Sequence, residues 1–307
     1  MTKVFIDGSV GTTGLRIHER LADRKELELI TLPEEKRKDI EARRDALNRA
    51  DIAFLCLPDD AAREAVQLTV NPNTAIIDTS TAHRTSPDWE YGFPELAGRR
   101  DRIKNSKRIA NPGCHASGFV ALIEPLVREG IISSNLNLSA FSLTGYSGGG
   151  KKMIAEYEDE NRDVLLSAPR MYGLTQEHKH LKEMVAICSL NSAPAFCPIV
   201  APFYSGMEVT IPLFKGDVNG SVEKIAECYK EYYKNGLVKF AENANESGFM
   251  SASALSGRDD MQITVCGNGD RIILVSRFDN LGKGASGSAI QNMNILLGLK
   301  DSEGLNV

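Results

Sequence analysis

A chain of 307 residues is long enough to form two domains of ordinary size. Apolar residues make up 42% of it and charged residues 25%, a balance that excludes disordered and fibrous classes. The net charge of −5 provides no basic field, so neither nucleic acid nor an anionic membrane surface is expected as a partner.

The start of the chain and its cysteines indicate an intracellular protein. The segment "MTKVFIDGSVG" lacks the apolar core of a secretory signal, and no run of about 18 apolar residues predicts a membrane span. The six cysteines are scattered without a C-x-x-C pair, which is typical of reduced thiols and gives structural zinc little support. We expect a cytoplasmic location.

The first third of the chain alternates strand and helix signals. The run "KVFID" precedes a glycine-rich turn and apolar residues at helical spacing, and further apolar runs follow as "LELITL", "DIAFLCLP" and "TAIIDTS". Near-continuous apolar runs of this kind suit strands that are buried on both faces. The alternation predicts an α/β domain with a Rossmann-type, doubly wound parallel sheet.

The pattern changes beyond the helix predicted in "FVALIEPLVREGII". Longer strands there alternate apolar and polar residues, as in a mixed or antiparallel sheet with one covered face. The amphipathic helix in "SVEKIAECYKEYYKNG" makes this second domain α+β. We place the first domain at residues 1–115, completed by a C-terminal helix in 285–307, and the second at 116–284.

Gly8, Gly11 and Gly14 occupy the position of a dinucleotide fingerprint, between the first strand and the first helix. Glycines there let the backbone approach a pyrophosphate, which the helix N-terminus attracts. The spacing is not G-x-G-x-x-G, so a plain turn is the alternative. The position favours cofactor binding.

Lys36, Arg37 and Lys38 follow the second strand, where NAD-binding proteins place an acidic residue. Cations at this position favour the 2′-phosphate of NADP. A solvated charged segment is the alternative, since Glu34 and Glu35 lie beside them.

Cys114 lies in "ANPGCHASG", between a Pro-Gly turn and an apolar helix. The dipole and the N–H groups of a helix N-terminus favour thiolate, so this setting indicates a nucleophile. A lone cysteine without such a setting is more often a core residue, which is how we interpret Cys56.

His178 and His180, in "QEHKHLKEM", are candidates for proton transfer to and from that thiol. Histidines two residues apart are also typical of metal sites and of solvated loops. Because no acidic or cysteine ligand lies at metal spacing nearby, we favour a general acid/base role and expect no metal.

Polar glycine loops in "TGYSGGGKK" and "RFDNLGKGASGSA" end predicted strands, where backbone N–H groups can hold phosphate or carboxylate. Both are equally typical of plain loops. Arg84, in "DTSTAHR", follows the fourth strand at the same sheet edge as the glycine turn, and we expect it to face a ligand crevice.

Seven segments together resemble the N-acetyl-γ-glutamyl-phosphate reductase family, the arginine-biosynthesis branch of the aspartate-semialdehyde dehydrogenase superfamily. They are "DGSVGTTGLRI", "IDTSTAHR", "YGFPEL", "ANPGCHASG", "TGYSGGG", "QEHKHLKEM" and "DNLGKGASGSAIQNMN". The segments run from residue 7 to residue 294 and so cover nearly the whole chain. The short length and the "GTTGL" and "HKHLKEM" spellings resemble the shorter branch of the family.

The resemblance implies NADPH-dependent reduction of N-acetylglutamyl 5-phosphate to N-acetylglutamate 5-semialdehyde, with phosphate released. By the family pattern Cys114 attacks the acyl phosphate, and hydride reduces the thioacyl enzyme to a thiohemiacetal that collapses to the aldehyde. The first domain would then bind NADP(H), and the second would carry catalysis and assembly into a dimer or tetramer.

The resemblance also implies roles for individual residues. His180 is the best match to the family's acid/base histidine, with His178 as the alternative, and Arg84 would be a cation for the substrate phosphate. Arg37 remains the candidate for the 2′-phosphate. The implied pyrophosphate contacts are Gly8, Ser9, Gly11, Thr12, Thr13 and Gly14, and the implied nicotinamide contacts are Ser147, Gly148 and Asn280.

Other functions share some of these features. Aspartate-semialdehyde dehydrogenases use the same cofactor domain, cysteine and acyl-phosphate chemistry, but the "NPGC" spelling favours the acetylglutamyl enzymes. A cysteine hydrolase or acyltransferase would leave the glycine turn structural. A non-catalytic dinucleotide sensor would leave Cys114 as a packing residue.

Overall fold

The computed structural model describes residues 1–307, which form two compact units. The first comprises Met1–Pro94, Gly98–Gly113 and Ala285–Leu305, and the second Glu95–Ala97, Cys114–Gly284 and Asn306–Val307. The strands are β1 (Thr2–Asp7), β2 (Leu27–Ile30), β3 (Ile52–Leu55), β4 (Ala75–Asp78), β5 (Glu90–Tyr91), β6 (Arg108–Ala110), β7 (Ser139–Gly145), β8 (Arg170–Met171), β9 (Ala195–Ala201), β10 (Met207–Phe214), β11 (Val238–Phe240), β12 (Met261–Gly267) and β13 (Arg271–Phe278). The α-helices are α1 (Thr12–Leu21), α2 (Ile40–Arg49), α3 (Asp59–Leu68), α4 (Arg99–Lys104), α5 (Cys114–Arg128), α6 (Gly150–Glu158), α7 (His180–Cys188), α8 (Val222–Tyr232) and α9 (Gly287–Leu296).

The first unit is built on a six-stranded sheet in the order β2-β1-β3-β4-β6-β5, and all its strand pairings are parallel. Every residue of β3 and β4 is buried, as expected for strands covered on both faces. The sheet confirms the predicted doubly wound α/β fold. Its strand order reverses between β1 and β3, the kind of position at which such sheets bind ligands.

Helices cover both faces of this sheet because successive strand side chains point in opposite directions. On one face Val4, Ile6 and Phe54 pack with apolar residues of α1 and α9. On the other, Phe5 and Leu55 pack with apolar residues of α2 and α3. The C-terminal helix α9 is thus part of the core of the first unit.

The second unit contains a seven-stranded mixed sheet in the order β11-β12-β13-β10-β7-β9-β8. The β7–β9 and β11–β12 pairs are parallel and the others antiparallel. Helix α5 lies against this sheet, and a Cβ at Gly118 would stand only 2.5 Å from Val209 Cγ2 and 2.7 Å from Ser276 Oγ. The close approach that glycine permits fixes the position of α5, and with it the cysteine at its first residue.

Across the two units, none of the helices combines the length and the apolar character needed to cross a membrane.

Candidate active site

The glycine turn of the first unit is wound tightly between β1 and α1. Gly8 has a φ of +89°, and the N–H of Gly11 donates to the Gly8 carbonyl at 3.0 Å. A Cβ at Gly14 would collide with that same carbonyl oxygen. The backbone can therefore turn this tightly from β1 into α1 only with glycine at positions 8 and 14. No side chain caps the N-terminus of α1 at Gly11.

The glycine turn carries polar side chains, and a buried ion pair lies directly before it. Ser9, Thr12 and Thr13 are partly exposed beside it, and Arg37 is exposed just after the short 3₁₀ turn Glu34–Lys36 that follows β2. Asp7, the last residue of β1, is buried and accepts hydrogen bonds from Arg43 Nε at 3.0 and 3.3 Å. This ion pair could not be predicted from the sequence, because no local pattern links positions 7 and 43.

Arg84 is buried, and its guanidinium donates to two main-chain carbonyls of the first unit. Nε donates to Asn111 O and Nη2 to Thr79 O, each at 2.9 Å. Asn111 precedes Cys114 by three residues in the chain. Arg84 therefore stabilises the segment that leads to the cysteine, and any role toward a substrate phosphate remains a prediction.

Cys114 is the first residue of α5 and is partly exposed. Other cysteines have surroundings that suppress the thiolate. Burial raises the pKa of Cys56 to about 12 and that of Cys228 to about 11, and it also raises the pKa of Cys188. The setting that stabilises a thiolate, an accessible helix N-terminus, belongs to Cys114.

Three histidines of the second unit form a cluster, and one of them, His115, directly follows Cys114 in α5. The ring centroid of His115 lies 5.6 Å from those of both His178 and His180, which are themselves 4.8 Å apart. Nδ1 of His178 accepts a hydrogen bond from the backbone N–H of His180 at 3.2 Å. Burial lowers the pKa of His178, so its neutral imidazole is favoured.

His115 and Tyr172 also belong to this cluster, although no functional role for either was predicted from the sequence. Nδ1 of His115 lies 2.7 Å from Ser142 Oγ, and Nε2 lies 2.7 Å from Tyr172 Oη. Burial lowers the pKa of His115 to about 3, so the ring is neutral at physiological pH. In the sequence, the only indication of a role for His115 is its position next to Cys114. Nothing in the sequence indicates a role for Tyr172.

Ser147, Gly148 and Asn280 come together in the second unit although they are far apart in sequence. Asn280 Nδ2 donates to Ser147 Oγ at 3.0 Å, and Asn280 Oδ1 accepts from the backbone N–H of Gly206 at 2.9 Å. A Cβ at Gly148 would stand 3.4 Å from Asn280 Nδ2. The structure thus brings together the residues that the resemblance assigned to the nicotinamide.

No group of three or more His, Cys, Asp or Glu side chains is placed to hold a metal ion.

Comparison with known proteins places this arrangement in a family. Residues 3–106 match the NAD binding domain of semialdehyde dehydrogenases, and residues 114–280 match their dimerisation domain. The chain is 46% identical to the N-acetyl-gamma-glutamyl-phosphate reductase of Brucella ovis, in an alignment that covers 96% of this chain and 99% of that protein. The identity to the Brucella melitensis reductase is also 46%, with the same coverage. The chain belongs to the N-acetyl-γ-glutamyl-phosphate reductase family.

Solved structures show that this chain shares its fold with aspartate semialdehyde dehydrogenases. The enzyme II of Vibrio cholerae superposes with a TM-score of 0.72 at 16% identity, covering 97% of this chain and 98% of that one. An NADP complex of the Candida albicans enzyme gives a TM-score of 0.65 at 18% identity, with the same coverage. At these identities the likeness concerns the fold alone.

Proposed function

We propose that this protein catalyses the reduction of N-acetyl-L-glutamyl 5-phosphate to N-acetyl-L-glutamate 5-semialdehyde with release of phosphate, a step of arginine biosynthesis in the cytoplasm. The observation that carries this proposal is Cys114 at the start of α5, followed by His115 of the histidine cluster, in a chain 46% identical to reductases named for that substrate.

Cys114 acts as the nucleophile. Its thiolate attacks the acyl carbon, the carbonyl re-forms as the bond to phosphate oxygen breaks, and the acyl group remains on sulfur as a thioester. A thiolate suits both halves of the reaction, because it attacks readily and also leaves readily when a thiohemiacetal collapses to the aldehyde. Its position at the helix N-terminus supports the charged form.

His180 is the general acid/base. It protonates the developing alkoxide of the thiohemiacetal and removes that proton again as the aldehyde forms. Nδ1 of His178 already accepts a backbone hydrogen bond, so a neutral His178 carries its proton on Nε2 and has no open site for another. His180 is the first residue of α7, so the helix fixes its backbone position.

NADP(H) is the cofactor, and it supplies the hydride when bound. The glycine turn fits the group, since a Cβ at Gly8 or Gly14 would collide with neighbouring main-chain oxygens, and glycine there lets β1 turn directly into the N-terminus of α1, where a pyrophosphate is attracted. Ser9, Gly11, Thr12 and Thr13 complete the pyrophosphate contacts, Arg37 holds the 2′-phosphate, and Ser147, Gly148 and Asn280 hold the nicotinamide end. Arg84 serves the substrate phosphate.

The protein works as a homo-oligomer, a dimer or a tetramer. The dimerisation-domain match covers the second unit, and apolar side chains are exposed on its sheet: Phe141 on β7, Phe214 on β10 and Ile273 on β13. An exposed apolar sheet face of this kind is a suitable surface for a second copy of the chain.

The reverse reaction tests the proposal. The protein is mixed with NADP⁺, phosphate and N-acetylglutamate semialdehyde, and formation of NADPH is followed by its absorbance. We expect turnover by the wild type and by Cys266→Ala, a control at another partly exposed cysteine, and none by Cys114→Ala. The assay is repeated with aspartate semialdehyde in place of N-acetylglutamate semialdehyde. Turnover with aspartate semialdehyde only would keep the chemistry and replace the substrate, and inactivity with both aldehydes would contradict the proposal.

A further inference from the structure

His115 lies in a chain of hydrogen bonds that runs from β7 to the segment after β8. Ser142, on β7, is fully buried, and its hydroxyl lies 2.7 Å from His115 Nδ1. Tyr172 directly follows β8, and its hydroxyl lies 2.7 Å from His115 Nε2. The Phe196 ring makes a T-shaped contact with the same imidazole, at a centroid distance of 5.4 Å.

The direction of these hydrogen bonds follows from the serine. A neutral imidazole has one N–H donor and one acceptor nitrogen, whereas a serine hydroxyl always has a hydrogen to donate. His115 Nδ1 is the hydrogen-bond partner of the Ser142 hydroxyl, which is buried away from water. A buried hydroxyl left without an acceptor is costly, so Ser142 donates to Nδ1.

The proton of His115 therefore resides on Nε2, and Nε2–H donates to the oxygen of Tyr172. The tyrosine hydroxyl then accepts from His115 and keeps its own hydrogen for another acceptor. The opposite tautomer would reverse both bonds, commit the tyrosine hydrogen to His115 and leave the serine hydrogen buried without an acceptor.

Tyr172 lies at the same end of α5 as the cysteine. Its hydroxyl is hydrogen-bonded to His115, the residue after Cys114, and its ring centroid is 5.9 Å from that of His178. Burial and the neighbouring Cys114 thiolate together raise the pKa of Tyr172, so the hydroxyl keeps its proton when the thiolate is present.

We propose that Tyr172 is a catalytic hydrogen-bond donor to the reacting centre at Cys114, and that Ser142 and His115 are positioning residues that aim its hydrogen there. The proposal rests on the nucleophilic role of Cys114. Tyr172 donates first to the thiolate and then to the oxyanion that forms when sulfur attacks the acyl carbon. No proton is transferred, because the neutral hydroxyl donates a hydrogen bond and remains protonated.

Tyr172→Phe tests the donor without substrate. The rate at which iodoacetamide alkylates Cys114 is measured against pH, and we expect the thiol pKa in this variant to rise by about one to two units, the effect of losing one hydrogen bond to a charged group. Tyr233→Phe is the matched control, since it also removes a tyrosine hydrogen bond to α5, from Tyr233 to Ala121 O at 2.8 Å. An alkylation profile that is the same in Tyr172→Phe and wild type would overturn the proposal.

The same variant is then assayed for turnover. We expect kcat to fall by about 10²-fold, the scale of losing one oxyanion donor, with little change in KM. Because alkylation needs no substrate, a shifted thiol pKa in a protein without reductase activity would reject the proposed function and retain the role of Tyr172. Normal kcat and an unshifted thiol in an active reductase would reject the role of Tyr172 alone.

Nitrogen NMR of histidine-labelled wild type tests the positioning residues without any mutation. We expect His115 as the Nε2–H tautomer, and the Nδ1–H tautomer would overturn the inference. Ser142→Ala should raise the Cys114 thiol pKa in the same direction as Tyr172→Phe, whereas Ser142→Thr, which keeps a hydroxyl, should restore it. Equal thiol pKa values in Ser142→Ala and wild type would contradict the positioning role.

Discussion

The backbone N–H of His180 donates a hydrogen bond to Nδ1 of His178 at 3.2 Å. This contact distinguishes two histidines that the sequence alone left as alternatives. A nitrogen that accepts a hydrogen bond carries no proton, and burial disfavours the charged imidazole of His178. We therefore expect the two residues to contribute differently to proton transfer.

Substitution of each histidine by asparagine should separate them. We expect His180→Asn to lower kcat by about two orders of magnitude or more, the scale of lost general acid/base catalysis. In His178→Asn the amide oxygen can take the place of Nδ1 as acceptor for the His180 N–H, so the loss should be much smaller. Steady-state kinetics measure both, and the opposite ranking would assign acid/base catalysis to His178.

Arg37→Ala should discriminate between the two nicotinamide cofactors. Loss of a charge-assisted contact to the 2′-phosphate should weaken NADPH binding by about 10- to 100-fold and leave NADH binding nearly unchanged. Arg49→Ala is the control, because Arg49 is an exposed arginine paired with Asp45 on α2. Equal losses for NADPH and NADH, measured by fluorescence titration, would exclude a 2′-phosphate role.

Two alanine substitutions in the glycine turn should have different effects. At Gly14 a Cβ would collide with the Gly8 carbonyl oxygen, whereas at Gly11 it would stand 3.5 Å away in ordinary contact. Gly14→Ala should lower the free energy of unfolding by about 1–3 kcal/mol, as overpacking does, and weaken cofactor binding. Gly11→Ala should fold with near-normal stability. Urea unfolding and cofactor titration measure the difference, and equally stable variants would refute the steric argument.

The buried neutral His115 should make the protein sensitive to acid. Its pKa is lowered from 6.5 in the unfolded chain to about 3 in the folded protein, so between these pH values the unfolded state binds one more proton at this site. The free energy of unfolding should therefore fall as pH drops from 6.5 toward 3. His115→Asn should reduce this dependence by up to one proton in a series of urea unfolding curves. The same slope in wild type and variant would show that His115 is not the group responsible.

Local signals predicted the fold and the setting of the cysteine. Strand β3 and helix α1 follow from short apolar and glycine patterns, and the Pro-Gly turn before Cys114 marks the start of α5 within a few residues. These signals depend on neighbours along the chain, so one sequence contains them. The alternation of apolar and polar residues predicted a mixed or antiparallel sheet in the second domain, but it did not predict the order of the strands.

The partners of His115 could not be predicted in this way. Ser142 and Tyr172 are 27 and 57 residues away, and their positions depend on how β7 and β8 pair with β9. Arg84 is a similar case, because its contact with Asn111 spans 27 residues. Tertiary packing determines such contacts, and local patterns in a single sequence do not predict them.

The most direct test of the central claim is to trap the acyl group on the cysteine. In the reverse reaction without phosphate, N-acetylglutamate semialdehyde and NADP⁺ should give a burst of one NADPH per active subunit and leave N-acetylglutamate attached as a thioester. Mass spectrometry of the quenched protein should find this added mass on the peptide that contains Cys114, and Cys114→Ala should give neither burst nor adduct. An adduct on any other residue, or a full burst from Cys114→Ala, would contradict the account.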